Sequence, residues 1–227
     1  MAEMKNLTIN GTPFTLPFAP AGYGLGTTVE KTLTLRELDS TSENGWYWLD
    51  APGTTLNGVY FNFAFVFVHG AAGGHVVHEV RPLDTNIVLR RYAYGGVFSE
   101  WECENPPMVS GVEYRTTERH NGKPVFRKAY ALGALPNTSR GHYRWYIDRN
   151  ATIIRSTMYA RKRTSEGTIA SGDEQYNGNV FFDLANNSIM ACATPWTNGS
   201  DWYMDIRSSR DLTYLVDTWG EMAYVKE

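Results

Sequence analysis

The side chains able to do chemistry in this 227-residue chain fall into a few short stretches. Three acids, Glu100, Glu102 and Glu104, alternate in FSEWECE, and Asp173 adjoins Glu174 in a polar segment. Hydrolysis of a glycosidic bond takes two carboxyl groups, about 5 Å apart for retention and up to ~9.5 Å for inversion. Acids at a spacing of two share one face of a strand, the pattern of a solvent-facing edge, and Asp173-Glu174 beside Gly172 reads as a turn. Neither set is assigned to catalysis, and the chain is not expected to be an enzyme. His75 and His78 in HVVH stand at an odd spacing, on opposite faces of a strand. A zinc site with His69 would therefore have to form across the GAAGG loop. Cys103 and Cys192 lie far apart in strand-like sequence with no CxxC partner, and both are expected to be buried free thiols. No glycine-rich phosphate loop precedes a helix, and no metal or other cofactor is expected.

Binding suits these residue types better than catalysis. A sugar ring presents a flat C–H face that stacks on an indole, while its hydroxyls need amide, carboxylate or backbone partners. The segment TPWTNGSDWYMD gathers Trp196, Asn198, Asp201 and Trp202, the candidate carbohydrate-binding residues. Pro195 and Gly199 argue against a continuous strand there, which would expose Trp196. The alternative places that tryptophan at one end of a core. Trp145, alternating with Tyr143 in HYRWYID, is expected inside. Arg161-Lys162-Arg163 reads as a solvated strand end. With a net charge of −3, no global basic field exists to attract nucleic acid.

The most charged stretch is GVEYRTTERHNGKPVFRKAYA, which begins at Gly111. Asn121-Gly122 at its centre is the strongest hairpin signal in the chain, because both central residues of a type I′ turn need positive φ. Pairing His120 with Lys123 would set Arg119 opposite Pro124, Arg115 opposite Lys128, and Glu113 opposite Tyr130. The opposed cations would cost about a few tenths of a kcal/mol if left alone. A hairpin with so little apolar surface is marginal by itself, so it is expected to pack against the rest of the chain or against its own copy in another subunit. Arg115, Arg119, Lys128, Glu113 and Glu118 are accordingly the candidate oligomer-interface residues.

The elements that must position these groups are almost all strands. GWYWLDA, VYFNFAFVFV, HVVHEVRP, NIVLRRYAY and seven further short runs after residue 140 are separated by Gly, Pro, Asn and Asp clusters. The fold class is therefore all-β. Only VEKTLTLREL, Val29 to Leu38, has near-helical spacing. Phe61, Phe63, Phe65 and Phe67 alternate and are expected on one core-facing side of a strand. No apolar run is long enough to span a bilayer as a helix, no signal peptide is evident, and insertion into a membrane is not expected. Pro106-Pro107 and GALPNTSRG mark the suspected joints.

Some of these strings resemble a known family. Pro106-Pro107-Met108, Gly111 to Arg119, Gly122 to Val125 and Gly133 to Asn137 resemble, in that order, a segment of tail-fibre and tail-tip proteins of tailed phages and prophages. Gly45-Trp46-Tyr47-Trp48, Ala51-Pro52-Gly53, Val88-Leu89-Arg90-Arg91 and Phe98-Ser99-Glu100-Trp101 are similar to the knob-like domain of pyocin-type fibres, with Phe98 where Trp is commoner. The resemblance implies burial of Trp46 and Trp48. It implies an N-terminal arm (1–20), a knob-like β domain (21–105), and a hairpin collar with a C-terminal antiparallel β-sandwich (106–227). It further implies a virion tail protein, made in the bacterial cytoplasm, that works as a homotrimer beside other phage tail proteins. Its partner would be bacterial surface polysaccharide, bound through several weak contacts summed by oligomerisation. A polysaccharide depolymerase or a free-standing carbohydrate-binding module is the alternative.

Overall fold

The computed structural model describes the backbone of residues 6–9, 12–15, 31–83, 85–135, 140–148, 150–162, 175–177, 180–183, 188–197, 202–208, 211 and 215–227. Side chains are described at 31–83, 85–135, 146–148, 150–160, 195, 197, 202–207, 211 and 218–227. The fold is all-β. Two compact units divide the chain: Met1–Leu56 with Tyr60–Trp101, and Asn57–Val59 with Glu102–Glu227.

The first unit carries β1 (Asn6–Ile9) and β2 (Thr12–Thr15), an antiparallel pair. Then come β3 (Thr32–Leu33), α1 (Leu35–Leu38), β4 (Gly45–Leu56), β5 (Val59–Ala71), β6 (His75–Pro82), β7 (Val88–Tyr94) and β8 (Val97–Phe98). The sheet order is β3-β4-β5-β6-β7, with β8 paired to β7. Helix shrinks to one turn because Thr32 and Leu33 extend beside β4. Thr34 then starts α1 with a reciprocal capping box to Glu37. Period-two alternation buries Tyr47, Leu49, Ala51, Val66, Val68, Val76, Val80, Leu89 and Ala93 on one side.

The phenylalanine run does not behave as its spacing suggests. Phe61 is buried, but Asn62 and Phe63 are both exposed, and the buried positions resume at Ala64, Val66 and Val68. One residue of slip turns Phe63, Phe65 and Phe67 outward. Trp46 and Trp48, out of phase with the buried Tyr47 and Leu49, face outward too, so their expected burial is overturned.

The second unit holds β9 (Glu102–Glu104), β10 (Glu113–His120), β11 (Lys123–Ala131), β12 (Arg140–Trp145), β13 (Thr152–Lys162), β14 (Gln175–Asn177), β15 (Val180–Asp183), β16 (Ser188–Thr197), β17 (Trp202–Ser208) and β18 (Leu215–Val225). One sheet runs β14-β13-β18-β11-β10-β9 and another β12-β17-β16-β15. Met158, Ala160, Met222 and Tyr224 from the first meet Met204 and Ile206 from the second, with Leu135 and Ala151 closing the cluster. That is a two-layer sandwich. It is not wholly antiparallel, since β9 runs parallel to β10.

Candidate functional site

The charged ribbon forms the hairpin its Asn-Gly signal demands: Asn121 and Gly122 take φ of 50° and 78°, and His120 pairs with Lys123. Beyond Arg119↔Pro124 the register shifts, so Arg115 lies opposite Phe126 and Glu113 opposite Lys128. The expected cation pair does not exist. A bulge at residues 116–118 absorbs two extra residues of β10. Thr116 holds it by donating its hydroxyl to Val125 O at 2.8 Å and accepting the Glu118 N–H. The Arg119 guanidinium donates to the carbonyls of Thr116, Thr117 and Glu118.

Each charge singled out on the ribbon has a partner within the chain. Glu102 accepts from Arg119 on both oxygens, at 2.6 and 2.8 Å, and from Arg115 at 3.3 Å. Glu113 accepts from Lys226 and from the Tyr224 hydroxyl, whose ionisation burial and this carboxylate both suppress. Glu118 pairs with Arg155 at 2.9 Å, which holds its carboxyl below the usual range, and Lys128 donates to Tyr146 O at 2.6 Å. The ribbon is flanked by β9 and β18. The physical reason for seating it against its own copy is thereby removed. Glu102, read as part of a solvent-facing edge, is a buried counter-ion.

The tryptophan loop also departs from expectation. Strand β16 runs through Pro195, which pairs with Met204, and through Trp196, which pairs with Tyr203. Among the described residues β15 pairs with β16 only as far as Cys192, so Pro195 takes no part in that ladder. Trp202 packs half-buried against the sandwich core. Asn198 and Asp201, with the side chains of Trp196, Trp145, Cys192 and Arg161 to Arg163, lie outside the described residues, as do Asp173 and Glu174.

Beneath the first unit's sheet sits a buried cation. Arg91, 8% exposed, lies between the rings of Phe98 and Trp101, 4.1 and 4.4 Å from their centroids. Its guanidinium reaches Asp39 at 2.7 Å, the Leu38 carbonyl and His78 Nδ1. The second His78 nitrogen donates to Thr41 O at 2.7 Å. Both ring nitrogens are committed, so His78 is a structural hydrogen-bonding group and not a metal ligand. Burial lowers its pKa. Cys103 is a buried free thiol, pushed up to about 12 chiefly by burial and secondarily by the Glu104 charge.

The opposite face of that sheet is the least expected surface. Trp46 and Trp48 on β4, Phe63, Phe65 and Phe67 on β5, Val77 on β6, and Tyr92 and Tyr94 on β7 all point to it. Trp46 is 44% exposed, Phe65 38% and Tyr94 75%. Trp48 lies 5.6 Å from Phe63 and 5.4 Å from Phe65, the latter edge-on at 80°, and Trp46 lies 5.0 Å from Phe67, tilted by 44°. Val77 joins Tyr92 directly across β6 and β7, but on β5 it stands opposite His69, while Phe65 and Phe67 stand opposite Arg81 and Glu79, so the apolar surface is not continuous from β5 to β7. One polar island interrupts it, where Glu79 accepts from Arg81 at 2.6 Å and Arg90 at 3.0 Å. The sequence does carry the signal: HVVHEV and RRYAY have apolar residues at both parities, so neither face of those strands is wholly polar.

No family model matches the chain, and no curated protein does. Among solved structures, it is similar to an N-truncated R2-type pyocin tail fibre at 10% identity and a TM-score of 0.26, over 86% of this chain and 95% of that one. It is also similar to an R1 pyocin fibre of P. aeruginosa comprising C-terminal residues 323–701, at 8% identity and a TM-score of 0.30, over 98% and 75% of the two chains. At such values the likeness carries no argument about what this chain does.

Proposed function

We propose that this chain is a non-catalytic, tail-fibre-like component of a virion tail, that it works as an oligomer, and that it helps hold the particle to bacterial surface glycan. The outer aromatic face of the first unit is the surface through which copies associate, and the observation that carries this reading is its composition. Large contiguous apolar patches on soluble proteins mark interaction sites. Phenylalanine has no polar handle for a hydrated ligand, and although Trp48 and Phe63 stack at 24°, Phe65 stands edge-on to Trp48 at 80° and Phe67 is tilted by 44° to Trp46, so the five rings share no single flat platform for a polysaccharide. Such a face suits dehydration against protein. The tail assignment is supported by the motif strings between Pro106 and Asn137.

Light scattering of the full chain at micromolar concentration tests the reading. The expected mass is that of a closed oligomer, three chains by the resemblance; a stable monomer contradicts it. Incubation with bacterial surface polysaccharide separates adhesin from enzyme. Retention of full-length polymer is expected, and shortening of the polymer would make the chain a depolymerase.

A further inference from the structure

A second surface has the mixed character that the aromatic face lacks. On the side of the six-stranded sheet away from the sandwich core, Tyr159, Trp219 and Ala131 stand abreast on β13, β18 and β11. Thr157, Glu221 and Ala129 form the next row. Small residues on β11 leave a hollow beside the larger ones on β18 and β13. Met108 from the loop before β10 completes a cleft of about 270 Å³, lined also by Ala129, Thr157, Tyr159, Trp219, Gly220 and Glu221. Trp219 is 37% exposed there. Glu221 is fixed by Arg127, which donates from Nε to Oε1 at 2.6 Å.

The cleft wall is built and held. Met108 sits in the left-handed region at φ 52°, rare for a residue with a side chain and costly unless the surroundings impose it. Pro106-Pro107 stiffen the approach. Val109 N–H donates to the hydroxyl of the buried Tyr114, Ala131 N–H donates to Ser110 Oγ, and Gly111 N–H donates to Ala129 O. An ordinary outer sheet face needs no such wall.

We infer that this cleft binds one pyranose residue of a neutral glycan, stacked on Trp219 and Tyr159 with its hydroxyls on the Glu221–Arg127 pair and Thr157. The inference rests on the reading of this chain as a glycan-binding protein. The volume lies just below the ~300–1,000 Å³ of drug-sized sites, which suits one sugar ring rather than a longer stretch of chain. An aromatic wall beside a fixed ion pair matches a ring with one C–H face and a polar rim. A lipid chain would leave the ion pair unanswered. Because Arg127 already neutralises Glu221, no net charge draws an acidic sugar, and the carboxylate accepts hydroxyl donors.

The test is an array of defined hexose, N-acetylhexosamine and uronic-acid oligosaccharides probed with the full chain. Retention of a neutral member is expected, weakened about tenfold or more by Trp219→Ala and kept largely by Trp219→Phe. The indole N–H resonance of Trp219 in the unsubstituted chain should shift when that oligosaccharide is added, a readout that does not depend on either variant folding. Binding that leaves this resonance and the Trp219→Ala variant unaffected overturns the site while sparing the glycan reading. Retention confined to uronic acids overturns the neutral-sugar assignment. No retention of any member overturns both.

Discussion

His78 is a buried side chain whose protonation the first unit opposes. Burial lowers its pKa first; the Thr41 hydrogen bond and the Asp39 charge raise it, and the Arg91 charge lowers it further. The groups facing it are Arg91, Asp39 through Arg91, the Thr41 carbonyl, and the rings of Phe98 and Trp101. A proton on Nδ1 would abolish an acceptor and set two cations against each other. Since the folded pKa lies below the unfolded 6.5, the unfolded state binds the extra proton first. The contribution is complete above about 6.5 and is lost as pH falls through the folded value. The thermal midpoint of the first unit should therefore drop below that pH. His78→Gln, which can donate to Thr41 O and accept from Arg91 without titrating, should flatten the dependence; an unchanged profile in that variant would contradict the assignment. This cluster was not legible in the sequence. His78 and Arg91 sit directly opposite on neighbouring strands, and Asp39 comes from another part of the unit.

At the scale of elements, alternation was legible and its phase was not. Strands β4 to β7 and the Asn121-Gly122 turn follow from residue types, because β-branched and aromatic alternation between turn residues leaves few other structures. A bulge adds a residue without changing composition, so neither the slip at Asn62-Phe63 nor the one at 116–118 could be read from spacing. Asn62, whose Oδ1 accepts the Gly53 N–H at 2.9 Å, was the local hint. Nor could the ribbon's cover be foreseen, since β18 comes from the far end of the chain: Arg127 pairs with Glu221, 94 residues away. If Thr116 holds the β10 bulge, Thr116→Val keeps the shape but leaves the Val125 carbonyl without that donor. The expected loss is about 1–2 kcal/mol in urea unfolding, and an unchanged midpoint would show that the bulge is held by Arg119 and Glu102 alone.

Across the whole molecule, Glu113, Arg115, Glu118, Arg119 and Lys128 of the ribbon are answered within the chain, while Trp46, Phe63, Phe65, Tyr92 and Tyr94 of the first unit's aromatic face are exposed. This reverses the roles that composition suggests. A ribbon rich in Arg, Lys and Glu looks like the adhesive element, and a phenylalanine run looks like core, but burial is decided by which strands lie alongside. Association through Trp46, Trp48, Phe63, Phe65 and Phe67 would bury this surface, give an oligomer whose apparent stability rises with concentration, and multiply weak glycan contacts. The most direct test is the mass in solution of the chain beside its Phe65→Ser, Phe67→Ser double variant. Both side chains point away from the core, so the variant should keep its circular dichroism. The account predicts an oligomer for the first and a folded monomer for the second; a double variant that assembles like its parent would contradict it.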